Sequence, residues 1–426
     1  MRMIGLTNHQ SPFSMARITS ISTLIVALVI LSVIIIRPIQ GFVPRKVQSP
    51  RSDTGTLHLF QSVPPSPLNY IDNPIDNPID SQTGIIIPGK HKWLGGAVDS
   101  KGRIYGVPSN AEHVICLSPP NAADTGTDND TNDTEQQYEM HTIPLPPSIA
   151  KGQFKWLRGI IWKDYLYGIP AWSQDGILRV DIASFWKDKD NNSSSNINTT
   201  NHDTESLYAT AIPLPEGALP NKNTDSINTN RWLWHGASLN KNQTAIYAIP
   251  SNAHHVLKLD LLTQTTSLLS IPYRQTPSDQ TNKWYGGILG DDNAIYGVPY
   301  AASGVLRIDA ETDEVQLIGE EEFGVKEYNW HGGIKSGKNG RIYCFPAHHS
   351  HVLSIDTRLR SRENDSDVDV QADDSEISGM DRLELLPIHR APYDEDKVTR
   401  YKWLGGSMGL DENVYGMPSD ASSVLR

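Results

Sequence analysis

Residues 283–309 read KWYGGILGDDNAIYGVPYAASGVLRID, and variants of this phrase recur along the chain. Its opening returns as Lys92-Trp93-Leu94-Gly95-Gly96, Lys155-Trp156-Leu157-Arg158-Gly159, Trp234-His235-Gly236-Ala237, Trp330-His331-Gly332-Gly333 and Lys402-Trp403-Leu404-Gly405-Gly406. Fourteen to sixteen residues after each Trp stands a Pro: Pro108, Pro170, Pro250, Pro299, Pro346 and Pro418. Three residues before each Pro is a Tyr: Tyr105, Tyr167, Tyr247, Tyr296, Tyr343 and Tyr415. A Val-Leu-x-Ile-Asp run or a variant follows. A fourth apolar run often closes on Ile-Pro, as in Leu268 to Pro272 and Ala211 to Pro213.

Each unit reads as four short strands. Runs of four to six residues rich in Val, Ile and Tyr, bounded by Gly, Asn, Asp and Pro, are strand signals. No helical periodicity is evident from Trp93 onward. Four antiparallel strands per repeat is the radial logic of a β-propeller, whose blades bury both faces against neighbours. The predicted fold is all-β, a six-bladed β-propeller over residues 84–426 preceded by one N-terminal hydrophobic helix. The paired glycines suit innermost strands, where backbones approach closely. The Trp residues supply apolar area between blades.

Three polar inserts interrupt the pattern at residues 118–137, 184–206 and 357–380. Their Asp, Asn, Ser and Thr content predicts disorder, because they cannot bury enough apolar surface to fold. Without them 46 residues remain per unit, the same as the Trp284 to Trp330 spacing. Propeller repeats run ~40–50 residues. All three inserts fall between third and fourth strands and so should emerge from one face. The chain carries 37 Lys and Arg against 49 Asp and Glu, a net charge of −12. The inserts hold 16 of the acids and five of the bases, so the remainder is nearly neutral. Nothing basic invites nucleic acid.

The Gly-x-Ile-Tyr-Gly-x-Pro and Val-Leu-x-Ile-Asp texture resembles the NHL and SMP-30/virginiamycin-lyase type of propeller repeat. It lacks the Trp-Asp and Gly-His pairs of WD40 repeats and the glycine placement of kelch repeats. The resemblance implies a possible metal-dependent hydrolase or lyase, with carboxylate and amide ligands converging on the channel. The first strands here hold no carboxylate at those positions, and no catalytic residue, metal ligand or cofactor is assigned. Asp181, Asp260, Asp309 and Asp356 end third strands, where turn formation is the expected role.

The predicted function is binding of a ligand or partner, non-enzymatic, through one face. That face takes the start of each first strand and the loops after each Pro. The first set is Leu94, Arg158, His235, Tyr285, His331 and Leu404. In the loops, His113, His255 and His351 occupy one equivalent position, with His254, His348 and His349 nearby. A histidine-rich opening suits a divalent metal or an anionic ligand. A lectin-like alternative uses Trp with Asn110 and Asn252 to stack on and hydrogen-bond a sugar. The ligand is an unidentified protein, small molecule or carbohydrate. Cys116 and Cys344 fall in distant units and read as small buried residues.

The chain ends inside a sixth third strand. A run at 57–64, or a competing one at 84–88, is expected to complete that last blade. The alternative is a truncated sequence with a further blade missing. After a tail at 1–17, residues 18–36 are uncharged for 19 positions, about the ~30 Å hydrocarbon thickness as a helix. They predict a transmembrane signal-anchor, followed by a linker at 37–83; a cleaved signal peptide is the alternative. Arg2 and Arg17 precede this segment, and Arg37, Arg45, Lys46 and Arg51 follow it, so flanking charge leaves orientation nearly balanced. Sequons at Asn129, Asn132, Asn191, Asn192, Asn198, Asn242 and Asn364 favour a lumenal or extracellular propeller. Gly41-Phe42-Val43-Pro44-Arg45, in an acid-free stretch, resembles the bipartite presequence of algae with secondary plastids. That resemblance implies a plastid address instead.

Overall fold

The structure is a computed structural model, described over residues 90–119, 138–192, 208–219, 231–273, 281–320, 323, 328–358, 382–388 and 400–426. The expected helix at 18–36, its flanks and both closing-strand candidates lie outside the described residues. Among the described residues no helix is long and apolar enough to cross a membrane.

Five four-stranded antiparallel sheets follow one another in sequence order. The first comprises β1 (Trp93–Val98), β2 (Ile104–Pro108), β3 (His113–Ser118) and β4 (Glu139–Pro144). The second comprises β5 (Trp156–Trp162), β6 (Tyr165–Pro170), β7 (Ile177–Asp181) and β8 (Ala209–Ile212). The third has β9 (Trp234–Leu239), β10 (Ala245–Pro250), β11 (Val256–Asp260) and β12 (Thr265–Leu269). The fourth has β13 (Trp284–Leu289), β14 (Ala294–Pro299), β15 (Val305–Asp309) and β16 (Val315–Ile318). The fifth has β17 (Trp330–Lys335), β18 (Arg341–Pro346), β19 (His351–Asp356) and β20 (Leu383–Pro387). Two further strands, β21 (Trp403–Met408) and β22 (Val414–Pro418), form a two-stranded sheet, where four strands were expected. A single bridge from Gly416 to Leu425 begins its third strand.

The first strands pack side by side in order: β1 on β5, β5 on β9, β9 on β13, β13 on β17 and β17 on β21. Sheets that meet along their first strands and stack face to face are blades of a β-propeller. Each core cluster lies between two blades. Trp156, Trp234, Trp284 and Trp330 each anchor one of the four clusters and are almost fully buried. Every repeat Trp also donates its indole N–H to a backbone carbonyl across its own blade. The acceptors are His113, Gly176, His255, Gly304, His351 and Ser423, at 2.8–3.0 Å. A backbone acceptor explains why side-chain type varies freely there. The Tyr of each repeat is pinned by a polar group at the opposite end: Tyr105 by Asp99, Tyr296 by Asp292, Tyr415 by Asp411.

The glycines permit close approach between neighbours. Gly236 has φ +111°, and a Cβ there would lie 2.7 Å from the Gly286 Cα of the next blade. All three inserts do join third to fourth strands, as expected, but they are not wholly polar coil. Helix α1 (Pro147–Ala150) follows β4, and helix α2 (Ile182–Asn192) takes up the first nine residues of the second insert. Both correct the expectation of no helix. Asp181 caps α2 by accepting the Ser184 N–H and hydroxyl. Phe185 is buried and Trp186 donates to the Tyr105 hydroxyl at 2.7 Å, which holds the helix on the first blade. Two insert boundaries also move. Ser118 belongs to β3, and Thr357 is buried, bonding Gly340 and Asp291. Cys116 and Cys344 are free and buried.

Candidate functional site

A sharp turn precedes every first strand. The residue two positions before each Trp has positive φ: His91 +52°, Phe154 +49°, Trp232 +52°, Asn282 +58°, Tyr328 +51° and Tyr401 +47°. Left-handed backbone is uncommon outside glycine, so six in register is strain held by many bonds. The carbonyl of each accepts an N–H from the loop after the Pro of its own blade. The next residue's N–H reaches back to the preceding blade's loop, as Lys155 to Ser109, Lys283 to Ser251 and Lys402 to Ala347. Buried Lys155, Lys283 and Lys402 also donate Nζ to carbonyls of the preceding blade. Burial pushes Lys155 down to about 8 and Lys283 to about 7.

Five of these six turn residues are aromatic: His91, Phe154, Trp232, Tyr328 and Tyr401. Their contacts run unbroken from the first blade to the last. His91 meets Phe154, which meets Trp172 and Trp232 at 4.5 and 5.3 Å. Trp232 meets His235, and His235 stacks on Tyr285 at 3.8 Å. Tyr285 stacks on Tyr300, Tyr300 on Tyr328, and His348 links Tyr328 to Tyr401. His331 stands edge-on to Tyr285 and Tyr300 at 5.0 and 5.4 Å. Its ring lies 5.9 Å from that of His235. His235 and His331 belong to the third and fifth blades, which are not neighbours. Their approach across the fourth marks the place where the blades converge.

Arg158 enters the same space from the second blade. It was expected beside Leu94 and His235, one residue after the Trp. The register instead aligns it with Gly95, Gly236, Gly286 and Gly332, two residues after the Trp. Arg158 pairs with Ile169, and the bulge that spans Trp93 to Gly96 in the first blade is shortened to Trp156–Arg158. Arg158 is exposed to solvent yet hemmed in by protein, and that enclosure lowers its pKa. Burial pushes His235 down to about 3, with smaller contributions from His331 and Arg158. Burial lowers His331 as well and raises Tyr285 to about 12. At neutral pH the opening therefore presents one guanidinium, two neutral imidazoles and a phenol. Each imidazole already holds a backbone hydrogen bond, His331 to Leu404 and His235 to its own residue, which leaves the other nitrogen for a ligand.

The other sequence-derived residues lie elsewhere. His113 and His351 start third strands and His255 immediately precedes one, in three separate blades, and their carbonyls take the Trp N–H bonds already described. The amide of Asn110 donates to Lys90 and accepts the Phe154 N–H. Asn252 likewise donates to Arg231 and accepts the Asn282 N–H, both at 2.6 Å. These two side chains fasten one blade to the next and stabilise the strained turn. Among the described residues no group of three His, Cys, Asp or Glu is placed to hold a metal ion. Of the sequons, Asn242 is exposed in the β9–β10 turn, and Asn191 and Asn192 end α2. The remaining four lie outside the described residues. The aromatic position two residues before the Trp was visible in five of six repeats. So was the lone Arg in a column of glycines.

No protein-family model matches the chain, and no curated protein matches it. Solved structures do. Virginiamycin B lyase of Staphylococcus aureus, crystallised with quinupristin, aligns at 11% identity and TM-score 0.43, over 78% of this chain and 86% of that one. A streptogramin B lyase aligns at 11% identity and TM-score 0.43, over 77% and 83%. A candidate 6-phosphogluconolactonase of Bacteroides uniformis aligns at 9% identity and TM-score 0.45, over 80% and 84%.

Proposed function

We propose that this chain is a ligand-binding propeller whose site is the axial opening lined by Arg158, His235, Tyr285 and His331. The observation that carries the proposal is convergence. Side chains from four successive blades share one small space, walled by aromatic rings. A mostly aromatic concavity with a few polar groups is the common form of a small-molecule site. No Asp or Glu occurs at the four residues after any repeat Trp, so binding is favoured over a carboxylate-based hydrolase there.

Six repeats support a six-bladed ring, with a segment at 57–64 or 84–88 pairing against the last blade. Its exposed Met408, Met417 and Val424 offer apolar cover for such a strand. The uncharged run at 18–36 and the exposed Asn242 sequon support a membrane-tethered propeller on the lumenal side.

Ligand-observed NMR of the full chain, against a panel of neutral and charged ring compounds, tests the binding proposal. Saturation transfer to ring protons is expected with the wild type and lost in the Tyr285→Ala/His331→Ala variant. Equal transfer from both proteins would overturn it.

A further inference from the structure

Taking the axial opening as the binding site, we infer that its ligand is an aromatic acid, its anionic group on Arg158 and its ring against the aromatic wall. The charge argument starts from Arg158. Enclosure by protein lowers its pKa, and among the described residues no carboxylate forms an ion pair with it. Residues 91–95, 154–158, 232–236, 282–286, 328–332 and 401–405, which form the opening, include no Asp or Glu. Among the described residues, the loops after each Pro hold three acids, each with a partner of its own. Glu112 pairs with Lys151 at 2.5 Å, and Asp175 accepts the Ser173 hydroxyl. Asp420 accepts the Ser419 hydroxyl in the last blade. A cation enclosed with no compensating acid favours an anion from solution.

Arg158 takes the position that other blades give to glycine, while the second guanidinium of the wall, Arg231, is held over Trp172. The planar fork of Arg158 matches a carboxylate with two parallel bonds. The neutral imidazoles add a donor or acceptor without adding charge. Five other blades carry Gly, not Arg, at this position, so a side chain there is not required by the fold. The ring argument is geometric. His235, Tyr285, Tyr300 and Tyr328 stack nearly parallel, with successive planes within 16°. Trp232 is tilted by 50° to His235, and Phe154 by 51° to Trp232. These rings fill one another's faces, so a planar guest meets the wall at its ring edges, an arrangement aromatic pairs also adopt. Arg231 already sits over Trp172 at 4.5 Å in this wall.

Calorimetric titration of the full chain with indole-3-carboxylate, indole-3-carboxamide, cyclohexanecarboxylate and inorganic phosphate tests this. The acid is expected to bind roughly ten- to hundredfold more tightly than the amide, a charge-assisted bond's difference. Arg158→Gln should abolish that preference, the affinity for the acid falling to that for the amide. Arg158→Gly, which installs the residue of the other blades, should do the same and guards against a folding defect. Acid and amide binding equally, with both lost in Tyr285→Ala, would overturn the anionic class and spare the site. Phosphate or the cyclohexane acid binding as well as the indole acid would overturn the aromatic part. No binding by any compound would overturn both the inference and the site.

Discussion

The imidazole of His235 lies flat on the phenol ring of Tyr285, ring centres 3.8 Å apart and planes within 9°. This contact joins two blades at the axis and keeps His235 uncharged, because enclosure disfavours imidazolium. Its folded pKa of about 3 lies below the ordinary 6.5. Between those values the unfolded chain binds a proton that the folded chain refuses. Stability should therefore fall as pH drops from about 6.5 toward 3. His235→Phe keeps the stack and removes the proton, so its denaturation midpoint should fall less steeply over that window. An identical slope in the two proteins would place the acid sensitivity elsewhere.

The buried lysine of the fourth blade gives a second pH window on the alkaline side. Lys283 falls from 10.5 to about 7. From about pH 7 to 10.5 the unfolded state holds the proton that the folded state has released. Its contribution to stability should therefore rise with pH across that range. The third blade has Leu233 at this position, buried and making the same backbone link to the preceding loop. Lys283→Leu should therefore fold and lose this part of the rise, as measured by urea denaturation at several pH values.

Two axial glycines should differ in their tolerance of a methyl group. At Gly236 an added Cβ meets the Gly286 backbone, and φ is +111°. At Gly332, with φ +73°, nothing lies within 4 Å. Gly332→Ala should cost roughly 1–2 kcal/mol from backbone conformation alone. Gly236→Ala should cost roughly 3 kcal/mol or more, since overpacking against a backbone adds to that strain. Denaturant titration of both variants ranks them directly.

Asn252 fastens the third blade to the fourth through two bonds of 2.6 Å at a nearly buried side chain. Asn252→Ala leaves the Asn282 N–H and the Arg231 carbonyl without these partners. A loss of about 1–3 kcal/mol is expected. Asn252→Asp keeps the acceptor for the Asn282 N–H but sets a carboxylate oxygen against the Arg231 carbonyl, so it should lose at least as much in thermal denaturation.

The repeat was legible because its punctuation is physical. Trp faces the neighbouring blade, Pro ends the second strand, and Gly allows the axial approach. These requirements return at every blade and survive in the sequence. The inserts were legible as positions, but the α2 helix was not, since Phe185 and Trp186 sit among charged residues. What gives them a place to pack is the first blade, a contact distant in sequence. The site was half legible. His235, His331 and Arg158 were singled out, yet so were His113, His255 and His351. Spacing along one strand does not tell a side chain at the axis from one at mid-radius. The short-range turn at Phe154, Trp232, Tyr328 and Tyr401 depends on positive φ, which no residue type but Gly or Asn announces. Asn110 and Asn252 looked free for a ligand because the groups they bind are backbone atoms of the next repeat.

The central claim is that ligand sits in the axial opening between the third and fifth blades. The dissociation constant of the tightest ring compound, compared between the wild-type full chain and Tyr285→Ala, tests it most directly. A loss of roughly tenfold or more is expected, the scale for removing a central aromatic anchor. A constant unchanged within about twofold, in a variant with native thermal stability, would contradict it.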